Sequence, residues 1–158
     1  YPGHQFFINQ AALCHTESFA YLYADSEGSD LGSLINLKNA IRPFDENKKE
    51  KVETLTIDGY MARHDIERID FIKIDVEGGE FNVLSGASKA ISEKRIKRIQ
   101  FEFGAGNITA RVFFHDFWEM LSDKYSFYQV LSGGLVPIEA YSPDLEIFKT
   151  TNFYLSLK

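Results

Sequence analysis

Cysteine is nearly absent from this sequence. Cys14 is the only one in 158 residues, which excludes an intrachain disulfide and a Cys-rich metal site. Long apolar runs are missing too, and no stretch approaches the ~20 residues that a membrane-crossing helix requires. The first residues lack the basic-then-apolar order of a secretory leader, so a cytoplasmic location without a membrane partner is expected. His4, His15 and His64 form no H-x-H or H-x-x-x-H ligand pair.

Basic charge is in the minority, with 17 Lys and Arg against 23 Asp and Glu and a net charge of −6. A phosphate-backbone partner needs a basic stripe. The one basic cluster, Lys94-Arg95-Ile96-Lys97-Arg98, falls where a helix ends and a strand begins. There it suits the negative end of the helix dipole, and no nucleic-acid partner is expected. Aromatics are plentiful, with 14 Phe and 8 Tyr, favouring a strand-rich core or a flat substrate surface.

The chain is organised around Ile69-Asp70-Phe71-Ile72-Lys73-Ile74-Asp75-Val76-Glu77-Gly78-Gly79-Glu80. Its first half is an apolar run of strand length, suited to a sheet covered on both faces. Two acids follow at the strand's end, then two glycines. Beyond them Phe81, Leu84 and Ile91 recur at helical spacing. Strand, acidic turn and helix form the unit whose carboxyl end carries ligand sites in open α/β sheets.

Around this unit, residues 6–12 read as a strand, as do Phe19, Tyr21 and Tyr23 by alternation. Residues 25–29 read as a loop, 31–42 as an irregular connection and 43–51 as an exposed loop. Residues 52–57 alternate in β fashion, and Asp58 is placed to cap a short helix. Ile99, Phe101 and Phe103 give another strand, which residues 104–107 break. Phe113, Phe114, Phe117, Trp118 and Leu121 form a helical core stripe. Residues 127–131, 135–138 and 152–157 read as late strands. The whole chain, residues 1–158, reads as one α/β domain with a mainly parallel sheet.

The string from Lys73 through Asp75, Glu77, Gly78 and Glu80 to Leu84, Gly86 and Ala87 resembles the signature of the FkbM family of S-adenosylmethionine-dependent methyltransferases. That pattern is Lys-Ile-Asp-x-Glu-Gly-x-Glu followed by Leu-x-Gly-Ala, and every position is filled here. The resemblance implies a Rossmann-like methyltransferase sheet, mainly parallel with an antiparallel late strand. On that plan residues 6–12 would be the third strand, 69–75 the fourth and 99–103 the fifth. The first strands, the glycine-rich cofactor loop and the ribose-binding acid have no counterpart in these residues. The chain starts at Tyr1 without a methionine, so an N-terminal half beyond it, a rearranged sheet or edge pairing in a homo-oligomer is expected.

The resemblance further implies methyl transfer from S-adenosylmethionine to a hydroxyl of a sugar, glycan or polyketide-like small molecule. Asp75 and Glu77 would be catalytic, with Asp75 as general base or acceptor anchor. Asn9, Gln10 and Ala11 would touch the cofactor's adenine. Glu102, Gly78 and His115 would line the substrate side. The competing account of Asp75 and Glu77 is structural, one acid capping the next helix and the other pairing with Lys73. Glu80 suits the positive end of that helix, and Gly78 and Gly79 suit positive φ or a close approach. Asp75, Glu77 and Glu102 could instead hold a divalent metal for phosphoryl or glycosyl transfer. A non-catalytic fragment is the third alternative.

Overall fold

The computed structural model describes residues 3, 5–24, 32–37 and 49–158. The loop expected at 25–29, most of the connection at 31–42 and positions 43–48 lie outside the described residues, as does His4. Residues 49–51, expected in a loop, open a strand.

Three strands make a small sheet: β1 (Ala12–Leu13), β2 (Ser18–Tyr23) and β3 (Lys49–Leu55). Their order is β1-β3-β2, with β1 parallel and β2 antiparallel to β3. The strand expected over residues 6–12 is cut to its end. Phe6, Phe7 and Ile8 are 80, 76 and 98% exposed. Among the described residues no backbone pairs with this run, so it has no ladder to enter.

After β3 comes α1 (Ile57–Arg63), whose N-cap is Thr56, the hydroxyl accepting from the Gly59 N–H. Asp58, expected as a cap of this helix, serves another. Its carboxylate accepts from the N–H groups of Lys89 and Ala90, both at 2.8 Å. These amides open α3 (Ser88–Ser92), so Asp58 ties α1 to α3.

The larger sheet contains β4 (Ile72–Ile74), β5 (Arg98–Phe103), β6 (Tyr125–Leu131), β7 (Gly134–Ile138) and β8 (Thr151–Leu157). Its order is β4-β5-β8-β6-β7. Only β4 and β5 pair in parallel. β8 inserts between β5 and β6, antiparallel to both, and β7 returns antiparallel on β6. The sheet is therefore mixed, not mainly parallel. β4, β5 and β6 do share a direction, but the inserted β8 converts the β5–β6 neighbourhood into antiparallel ladders. The fold as a whole is mixed α/β.

Between β4 and β5 the expected helix is present as two pieces, α2 (Glu80–Ser85) and α3, parted at Gly86 and Ala87. Between β5 and β6 lie α4 (Ala105–Ala110) and α5 (Phe114–Leu121). Alternation on β5 sends Ile99, Phe101 and Phe103 to one face, where they are fully buried. α5 covers that face: Phe117 stacks on Phe101 with centroids 4.5 Å apart, and Phe114 meets Phe153 at 4.4 Å. Gln100 and Glu102 point to the opposite face.

Three cations of the basic cluster, expected at the helix dipole, are engaged elsewhere. Arg95 donates to the carbonyls of Ile66 and Glu67, Lys97 pairs with Asp70 at 3.1 Å, and Arg98 donates to the Asp70 carbonyl. These cations hold the segment that leads into β4. No helix among the described residues is long and apolar enough to cross a membrane.

Candidate functional site

The parallel register of β4 and β5 sets Ile74 beside Phe101. Asp75 and Glu102, one step further on each strand, therefore meet at the carboxyl edge of the sheet. The chain then turns and brings Glu77 back to them. Asp75, Glu77 and Glu102 each place a carboxylate oxygen within 4.8 Å of the other two. Asp75 is exposed, while Glu77 and Glu102 are half-buried. Lys73, two residues before Asp75 on the same strand face, forms an ion pair with it. Burial pushes the Glu102 carboxyl above its ordinary value, and the charges of Asp75 and Glu77 push it further against an opposing pull from Lys73. Solvated sheet edges present similar acid groups, and no ion is assigned to this one.

The turn is built from unusual backbone. Glu77 has φ 53° and Gly78 φ 98°, left-handed values that glycine tolerates and glutamate rarely adopts. Gly106, in the first turn of α4, packs directly on Gly78. A Cβ on Gly78 would fall 2.8 Å from the Gly106 carbonyl carbon. Residues 104–107, which break the strand as expected, are thus the start of a helix that backs the acidic turn.

Glu80 sits beneath the same turn, 1% exposed. Its Oε1 accepts from the N–H groups of Val76 at 3.0 Å and Gly78 at 3.1 Å. Its Oε2 has no hydrogen-bond partner among the described residues, and neither does Nδ2 of buried Asn107. Burial raises the Glu80 carboxyl above its ordinary 4.5, while the turn's amides pull it down. The folded value lies above the unfolded one. Glu80 therefore contributes stability that is full below the unfolded value and lost as pH rises through the folded one. Glu80→Gln keeps an acceptor oxygen for both amides and removes the buried charge. Its melting temperature should gain on the wild type as pH rises through the ordinary carboxyl range and beyond it, up to the raised folded value. A gap that stays constant over that range would show that the Glu80 carboxyl is not held above its ordinary value in the folded chain.

The other sequence-derived candidates lie apart from this cluster. Asn9 is exposed and donates to the Tyr60 hydroxyl at 3.0 Å. Gln10 and Ala11 lead into β1 of the small sheet. His115 is the second residue of α5, its ring against Tyr141 and its Nε2 3.6 Å from Glu119. Because α5 covers the face that Glu102 points away from, His115 is not brought to the acids. Gly78 is at the cluster through its backbone. Two contributors escape a reading of the sequence. Ser33 donates to the Glu77 carbonyl at 2.9 Å, and nothing local in the sequence signals it. Gly106 could have been found as the small residue facing a second glycine.

Carboxylates at the ends of adjacent parallel strands of a mixed α/β sheet lie at the edge where α/β proteins commonly bind ligands. Residues 5–128 match the methyltransferase FkbM domain, and the chain belongs to that family. It is a methyltransferase domain in general terms, which implies a methyl donor of the S-adenosylmethionine type. No curated protein and no solved structure matches it.

Proposed function

We propose that this domain serves an O-methyltransferase that moves a methyl group from S-adenosylmethionine to a hydroxyl of a sugar, glycan or polyketide-like small molecule. The observation that carries this reading is the convergence of Asp75, Glu77 and Glu102 at one sheet edge within a family of methyltransferases. The strand run β4-β5-β8-β6, with β8 reversed, supports a Rossmann-like methyltransferase sheet.

The described residues fit the acceptor side of this chemistry. The turn after β5 does not fit the donor's nucleoside. Gly104 and Gly106 follow a strand, as a nucleotide-cradling loop would, but Gly106 is filled against Gly78. The donor supplies an electrophilic methyl group; the acids of this chain act on the acceptor. A hydroxyl placed among them donates a hydrogen bond to a carboxylate and gains nucleophilic character as its proton is taken up. Glu102, held above the ordinary range, is the acid best matched to accepting that proton. Holding the hydroxyl in line is the larger part of such catalysis.

The test is isotope transfer. The protein is incubated with methyl-labelled S-adenosylmethionine and a panel of hydroxylated sugars, glycans and polyketide-like alcohols, with and without a chelator. Label on oxygen, indifferent to the chelator, is the expected result. Label only on nitrogen, or none on any member of the panel, would overturn the reading. Transfer abolished by chelation would favour the metal-dependent account of Asp75 and Glu77.

A further inference from the structure

Among the described residues, one side chain from outside the β4–α2 unit hydrogen-bonds to the acidic turn. Ser33, 1% exposed, donates its hydroxyl to the Glu77 carbonyl and accepts from the Ile35 N–H at 3.0 Å. Its own backbone is paired with Tyr23 of β2 in both directions, at 3.0 and 2.9 Å. The hydroxyl is therefore anchored on the small sheet and reaches the middle of a turn on the large one.

What it grips is a peptide plane with reason to rotate. Glu77 is left-handed, and Gly78 beyond it accepts φ of either sign. If the Glu77 carbonyl swung away, the left-handed value at Glu77 would lose its support. Relaxation to negative φ would then re-aim the Glu77 side chain away from its neighbours. Gly106 blocks the movement sterically from one side, and Ser33 holds the carbonyl itself. Glu80 holds the opposite end of the same peptide plane through the Gly78 N–H, so the plane is gripped at both ends, and Ser33 supplies the grip on the carbonyl.

We infer that Ser33 is a positioning residue of the acidic site, its hydrogen bond to the Glu77 carbonyl keeping the Glu77 carboxylate beside Asp75 and Glu102. Its consequence for catalysis rests on the acceptor-site reading above, whereas the placement of Glu77 can be measured without any substrate. In that arrangement the Glu77 charge is one of those that Glu102 feels, so Glu102 reports where Glu77 is.

The experiment follows the Glu102 carboxyl by carbon NMR through a pH titration in the wild type, Ser33→Ala and Glu77→Gln. Glu77→Gln should lower the Glu102 midpoint, and Ser33→Ala should lower it by at least about half as much. Circular dichroism should show both variants folded, since Ser33→Ala removes only the two hydrogen bonds of one hydroxyl and leaves the core intact. If Ser33→Ala is too unstable to titrate, Ser33→Cys fills the space with a weak donor and should shift Glu102 in the same direction. A variant that loses stability while the Glu102 midpoint stays at the wild-type value would overturn the proposal. So would a midpoint unmoved by Glu77→Gln. Failure of the methyl-transfer reading would be seen instead in the isotope assay, which this titration does not use.

Discussion

Asp75→Asn is expected to lower methyl transfer by about a hundredfold or more while leaving the domain folded, the scale typical of losing a positioned proton acceptor or anchor. The side chain is exposed and keeps its shape as an amide, so no packing is lost. What changes is its charge. Asp75 would no longer pair with Lys73, would accept only half as well from an acceptor hydroxyl, and would stop repelling Glu102. Glu102→Gln should cause a loss of the same order, and the two can be told apart by pH. With Asp75→Asn the remaining activity should titrate at lower pH than in the wild type, because one of the charges raising the Glu102 carboxyl is gone. With Glu102→Gln that limb should vanish. Turnover left unchanged by Asp75→Asn would rule Asp75 out as base or anchor and leave the role to Glu102.

The part of this site that sequence shows is the part written in consecutive residues. The β4 strand, the two acids and the helix after them follow from an apolar run, a break and a helical period. The convergence of Glu102 was visible only as a permissive spacing, because the parallel pairing of Ile74 with Phe101 decides it. Contacts made across long separations are where local rules fail. Asp58 looks like a cap for the helix it begins, yet its carboxylate serves amides more than thirty positions away. The basic cluster looks like dipole compensation, yet Arg95 and Arg98 bind carbonyls of the segment entering β4. Phe6-Phe7-Ile8 has strand composition and no strand, since pairing needs a neighbour as well as a propensity. The insertion of β8 between β5 and β6 has no trace in strand spacing at all, and together with the return of β7 on β6 it makes the sheet mixed.

Gly86→Ala should be strongly destabilising, at about 3 kcal/mol, or a fall in melting temperature of about 10 °C for a chain of this size. Conformation is not the reason. Gly86 has φ −73°, where alanine would ordinarily gain. Space decides it. A Cβ there would lie 2.2 Å from the Cys14 carbonyl oxygen and 3.3 Å from that of Val83. The Cys14 backbone cannot easily yield, because its N–H is bonded to the Leu55 carbonyl at 2.8 Å as a continuation of the β1–β3 pairing. Gly86 is held in turn, its carbonyl accepting from the Asp58 N–H at 3.0 Å. Both backbones are pinned, so the added methyl would have to part the small sheet from the α2–α3 unit. That gives a physical reason for glycine in the Leu84-x-Gly86-Ala87 string: it is where the chain carrying Asn9 to Leu13 docks against the unit that follows the acidic turn. Gly59 supplies the control. A Cβ at that position would also clash, but with side-chain atoms, the Glu17 carboxylate and the Thr56 hydroxyl, and Glu17 can swing aside at the cost of its exposed ion pair with Arg63. Gly59→Ala should therefore melt within a few degrees of the wild type, the range expected of a surface change. Equal melting temperatures for Gly86→Ala and Gly59→Ala would mean that the Cys14 carbonyl moves freely, and that the docking of the small sheet does not depend on this contact.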